Sequence, residues 1–132
     1  MSYLDTAREQ FSKDVFATEC TGVVIDEASP GYARCSLDID RRHINAVGKV
    51  MGGAIFTIAD FAFAVATNTG VDNTVSQTSQ ITYLSRVKGK KLIAETKQIK
   101  SGHTTCFYIV EVKDELGTEI AIVSITGIRV NH

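Results

Sequence analysis

From Gly52 to Gly70 the chain reads Gly-Gly-Ala-Ile-Phe-Thr-Ile-Ala-Asp-Phe-Ala-Phe-Ala-Val-Ala-Thr-Asn-Thr-Gly, alanine-rich, apolar on every side and closed by an Asn/Gly stop. A helix that is apolar all round has no face to give to water, so it belongs inside the protein. Thr57 and Asp60 interrupt it, and its apolar stretch from Ala54 to Ala66 falls short of the roughly 20 residues that span a bilayer. The remaining chain has to wrap this helix, and 132 residues suffice for one such core, a single domain over 1–132.

The flanks carry the wrapping pattern. Leu4, Ala7, Phe11 and Val15 recur at helical spacing and predict a short amphipathic helix over 3–17. Val23 and Ile25, then Ala33, Cys35, Leu37 and Ile39, alternate with polar residues about a Ser29-Pro30-Gly31 turn, which predicts a β-hairpin. Residues 40–51 follow neither period and read as a loop, long enough in a small domain to suggest a function. Four alternating segments follow, Val75–Leu84, Lys91–Ile99, Thr104–Val112 and Glu119–Arg129, with turns at 88–90, 101–102 and 114–117; the simplest arrangement is a meander. The fold class is α+β, an antiparallel sheet wrapped around one long central helix with a short N-terminal helix.

Fourteen Lys+Arg against fifteen Asp+Glu leave a net charge of −1, so no overall basic field favours nucleic acid or an anionic membrane as partner. Cys20, Cys35 and Cys106 form no CxxC pair and no apolar leader precedes them, which points to a reducing, cytoplasmic setting. They read as small core residues. No Cys/His spacing suggests a zinc site, and the Gly48…Gly53 pair lacks the Lys-Ser/Thr of a phosphate loop.

Asp60 is the only ionisable side chain on the central helix. Burying an unpaired carboxylate costs several kcal/mol, so either it is satisfied structurally or its raised pKa serves as a base. Gly52-Gly53 at the helix start either permits tight packing or lets a ligand approach the unpaired first-turn N–H groups, a ready oxyanion hole. Eight residues separate Gly52 from Asp60, about 12 Å along the axis at 1.5 Å each. One helix therefore cannot easily bring both to one reacting carbonyl, whereas two antiparallel copies could, so the expectation is a homodimer with Gly52 of one chain facing Asp60 of the other.

His43-x-Asn45-x-x-Gly48-x-x-Met51-Gly52-Gly53-Ala54, with Asp60 and the later Gln77-Thr78-x-x-Ile81-x-Tyr83-Leu84, resembles the PaaI-type (phenylacetic acid degradation) branch of hotdog-fold acyl-CoA thioesterases over nearly the whole chain. The resemblance implies hydrolysis of an acyl- or aryl-CoA thioester, with Asp60 as general base or nucleophile and the Gly52 amide as oxyanion donor. Asn45 would position substrate or water, and Thr78 would orient the attacking water from the strand beside Asp60. It also implies homodimers paired into tetramers and no metal or redox cofactor.

The branch has His immediately before the Gly pair; here Met51 stands there and can neither titrate nor donate a strong hydrogen bond. Met51 and Gly53 border the expected substrate site. His43 either substitutes for that imidazole or is simply solvated. Lys88 and Lys90, within a cluster that includes Arg86 and Lys91, are candidate contacts for the phosphates of coenzyme A, as is His103 after Gly102. The other readings are a non-catalytic acyl-CoA-binding protein and a hotdog dehydratase.

Overall fold

The computed structural model describes residues 1–130. Helix α1 (Tyr3–Phe11) opens on a reciprocal cap, Asp5 N–H donating to Ser2 Oγ and Ser2 N–H to the Asp5 carboxylate. The helix expected to reach residue 17 stops at Phe11. Asp14 Oδ1 instead accepts the N–H of Ala17 and starts a separate wide turn, Phe16–Cys20; an Asp that competes for backbone amides restarts a helix rather than continuing it.

Strands β1 (Val24–Ser29) and β2 (Tyr32–Asp38) form the expected hairpin. Helix α2 (Gly52–Asn68) follows, then β3 (Thr74–Tyr83), β4 (Lys91–Ser101), β5 (Thr105–Asp114) and β6 (Glu119–Arg129). These six strands make one sheet in the order β1-β2-β4-β5-β6-β3, antiparallel throughout. The meander is thus limited to β4, β5 and β6, and β3 lies beyond β6 at the far edge. Its 17 residues make α2 about 25 Å long. Both ends of α2 lie against β3, Gly52 O accepting from Tyr83 at one end and the Asn68 side chain bonding Thr74 at the other, so the helix runs along β3 and hands the chain to that far edge.

The sheet-facing side of α2 buries Ile55, Ile58, Ala59, Ala62 and Val65 with Leu37, Leu92, Val110, Val123 and Ile125. Phe63 meets Tyr108 edge-to-face at 5.4 Å, and Phe11 of α1 meets Phe61 at 5.8 Å. The far end of α2 is fixed by polar side chains. Gln10 donates to Asn68 O and accepts from Gly70 N–H, while the buried Asn68 side chain accepts from Asn73 and Thr74 N–H and donates to Thr74 O. The helix is not covered on every side: Gly53 is exposed, and Thr57, Asp60, Ala64 and Thr67 are half-buried along one stripe. Among the described residues no helix is long and apolar enough to cross a membrane.

Candidate active site

At the N-terminus of α2 the first-turn amides of Gly52 and Gly53 have no backbone partner among the described residues, since the bonds to Met51 O come from Ala54 and Ile55. Gly52 forms one wall of a cleft of about 910 Å³. Ile39, Ile44, Val50, Ile55 and Val87 give it an apolar lining, to which Lys49, Arg86 and Lys88 add cations, with no carboxylate among the lining residues. Tyr83 also lines it and donates its hydroxyl to Gly52 O at 2.9 Å. A Cβ at Gly52 would stand 2.7 Å from that hydroxyl, so a side chain here would displace the tyrosine from Gly52 O.

One lip of the cleft is the segment expected to be an irregular loop. It has order: a 3-10 turn over Arg41–His43, then a small tongue closed by an Ile44–Val50 bridge. Asn45 Oδ1 accepts the N–H groups of Val47 and Lys49, both at 3.0 Å, so its carbonyl oxygen shapes the tongue. His43, expected to be either catalytic or solvated, is neither: it is 2% exposed. Its Nδ1 accepts Asp40 N–H at 3.0 Å and its Nε2 meets Thr21 O at 2.6 Å, which assigns the proton to Nε2 and commits both ring nitrogens to the backbone.

Asp60 lies two helical turns from Gly52 on the half-buried stripe, and its carboxylate has no hydrogen-bond partner among the described residues. Burial pushes its pKa above the ordinary 3.8, and the Asp14 charge adds to the rise. A single chain therefore separates the base candidate from the amide donors. Thr78 is not beside Asp60 within the chain. It pairs with Thr126, on the sheet face opposite to the buried Val123, Ile125 and Gly127, whereas Ser76 and Ser79 pair with Gly127 and Ile125 and face the helix. The bulge between Ser76 and Thr78 changes the alternation there, and a period-2 reading of the sequence has no signal for it.

Met51 is the N-cap residue and is exposed, with Gly53 beside it; neither lines the cleft. Of the expected phosphate contacts Lys88 lines the cleft and Lys90 does not, while Lys49, which the spacing left unremarked, joins it from the tongue. His103 stands at the other end of β4, at a separate hollow with Asn73 and Arg129. Cys35 and Cys106 are buried as expected, whereas Cys20, also expected in the core, is exposed at the end of the Phe16–Cys20 turn. Burial pushes the Cys35 thiol up to about 12, with Asp26 nearby adding to it, which fits a core residue and not a nucleophile.

Asp114 is marked by the sequence pattern only as a turn residue. It is 2% exposed, and its two oxygens accept the N–H groups of Lys88, Gly89, Leu116 and Thr118. Burial pushes its pKa up, but the amides of Thr118, Lys88 and Gly89 outweigh this and hold it at about 2. The charged form is the one that stabilises the fold, so this stability is complete above about pH 4 and is lost as pH falls toward 2. We expect Asp114→Asn to lower the thermal midpoint at pH 7 and to flatten its fall between pH 5 and pH 2, measured by circular dichroism.

A six-stranded antiparallel sheet folded about a long helix, with an apolar cleft ending at that helix's open amides, defines a hotdog-fold protein of the thioesterase class. The family model described as "Domain of unknown function (DUF4442)" matches residues 11–128. An Archaeoglobus fulgidus protein named "Putative esterase" is 37% identical over 80% of this chain and 70% of its own. Human acyl-coenzyme A thioesterase 13 is 29% identical over 70% of this chain and 69% of its own. A point mutant of phenylacetic acid degradation protein PaaI from Thermus thermophilus superposes with a TM-score of 0.79 at 26% identity, covering 86% of this chain and 97% of that one. The chain belongs to the DUF4442 family, and its structural likeness is to the PaaI-type hotdog thioesterases.

Proposed function

We propose that this protein hydrolyses acyl- or aryl-CoA thioesters to the free acid and coenzyme A, as a cytoplasmic homodimer that pairs into tetramers. The observation that carries the reading is the cleft: apolar in its lining for an acyl chain and pantetheine arm, closed by the Gly52 amide, and lined also by Lys49, Arg86 and Lys88 with no acid among them. Unpaired cations beside an apolar lining suit a ligand that is greasy at one end and phosphorylated at the other. The human relative is named an acyl-coenzyme A thioesterase, which points to the same substrates.

In this mechanism the thioester carbonyl accepts from Gly52 N–H, and Asp60 of the partner subunit removes a proton from the attacking water or attacks directly. The tetrahedral oxyanion is stabilised by the amide and collapses with release of the thiolate. Two features support a shared site: the about 12 Å between Gly52 and Asp60 within one helix, and the outer edge of β3, exposed from Val75 to Gln80 and unpaired among the described residues, which is open to a second copy. Thr78, Asn45, Met51 and Gly53 are proposed to act around the substrate in the assembled dimer, with His103 a further candidate contact for coenzyme A. A dehydratase reading is disfavoured because it calls on a His paired with the acid, and both nitrogens of His43 are occupied.

A thiol-release screen over short, long and aromatic acyl-CoAs tests the proposal. Turnover of at least one class supports it, whereas tight coenzyme A binding with no free thiol released would make the protein an acyl-CoA-binding module. Within the screen, the Arg86→Gln/Lys88→Gln double variant should raise KM for acyl-CoA about tenfold and leave an acyl-pantetheine thioester within about twofold, with Lys90→Gln near wild type. Equal loss on both substrates would remove the phosphate role.

A further inference from the structure

Between the end of β3 and the start of β4 the chain runs from Leu84 to Lys90 along the lip of the cleft, and its anchoring comes from another hairpin. Asp114 Oδ2 accepts Lys88 N–H at 3.0 Å and Gly89 N–H at 2.9 Å. The neighbouring Glu115 carboxylate accepts Lys90 N–H at 2.9 Å and Lys91 N–H at 3.1 Å. Four consecutive amides thus point at two adjacent carboxylates about 25 residues away in sequence. Asp114 commits its other oxygen to Leu116 and Thr118 N–H, which fixes it within its own turn. Gly89 completes the fit, since a Cβ there would lie 2.0 Å from Glu115 Oε1 and leave the carboxylate no room.

We infer that Asp114 and Glu115 are positioning residues that hold the Arg86–Lys91 segment as the cationic lip of the cleft, and so set recognition of the phosphorylated end of a coenzyme A thioester. The inference rests on the reading of the cleft given above. The carboxylates act through the backbone: their negative charge is taken up by amides, and the side chains of Arg86 and Lys88 stay free to line the cleft with Lys49. Without the clamp this segment keeps the bonds from Leu84 and Ser85 N–H to Ile120 O at its start and the bond from Ile39 N–H to Lys90 O at its end, with no backbone bond between them among the described residues. The lip would then sample many positions, and the entropy of ordering it would fall on the ligand.

The sign of the effect separates positioning from simple charge. Removing an acid near a cationic lip strengthens binding of a polyanion if only Coulomb attraction matters, whereas loss of the clamp weakens it. Isothermal titration with coenzyme A and with pantetheine reads this without needing turnover. Glu115→Ala, whose side chain is exposed, and Gly89→Ala, which evicts the carboxylate, are each expected to raise the Kd for coenzyme A about three- to tenfold while the Kd for pantetheine stays within about twofold. Asp114→Asn should do the same or more; if it does not fold, the Glu115 and Gly89 variants decide the question. Glu27→Ala, an exposed acid on β1, controls for net charge. A Kd for coenzyme A that falls or does not move in Glu115→Ala overturns the inference and leaves the proposed activity standing. Wild-type protein that binds no coenzyme A overturns both.

Discussion

Asp60→Asn is expected to lower kcat on the best acyl-CoA substrate by at least about 100-fold with the fold intact, the scale on which a lost general base is felt. The exchange is nearly isosteric, and the Asp60 carboxylate has no hydrogen bond within the chain to lose, among the described residues. It also removes a charge from a half-buried position near Asp14, so the thermal midpoint should hold or rise slightly. Activity and stability therefore part company, which a purely structural Asp would not produce. Because burial and then Asp14 raise its pKa, the acid limb of the wild-type pH profile should lie above the ordinary 3.8, with activity falling as the carboxylate protonates. A folded Asp60→Asn protein that turns over normally would end the assignment.

What the sequence disclosed divides along physical lines. The central helix, the first hairpin and the strands after it were legible because their apolar periods are local. The place of β3 was not, because strand order depends on tertiary contacts at the two ends of α2, Gly52 with Tyr83 and Asn68 with Thr74, which no local period encodes. Asp60 and Gly52 stood out as residues that do not fit a buried helix. His43 and Asp114 read as polar residues of loops, yet both are buried because backbone groups distant in sequence supply their partners: Thr21 for one, Lys88 and Gly89 for the other. Thr78 was set beside Asp60 on family resemblance, and a bulge just before it places Ser76, not Thr78, on the helix side. Lys49 had no signal at all, since a lysine on a loop is ordinarily solvated.

The strongest test of the shared site deletes a single N–H. Gly52 is the first residue of α2, where proline costs no helical hydrogen bond. Met51 already has φ −61° and ψ 132°, the extended conformation required before proline. Gly52→Pro, made with Tyr83→Phe to remove the hydroxyl that a Cβ would meet at 2.7 Å, therefore removes the oxyanion donor and leaves the helix in place. We expect kcat to fall about 100- to 1000-fold relative to Tyr83→Phe alone, as when one oxyanion donor is lost. Each parent, this variant and Asp60→Asn, should then be nearly inactive. If Gly52 of one chain works with Asp60 of the other, a mixed dimer places both defects in one site and leaves the second site with neither. Refolding the parents together at equal amounts should make about half the dimers mixed, each with one good site, and restore about a quarter of the control activity. Complementation fails if both groups act within one chain, because every site then carries one defect; a mixture no more active than its parents would return Gly52 and Asp60 to a single subunit and dissolve the proposed mechanism.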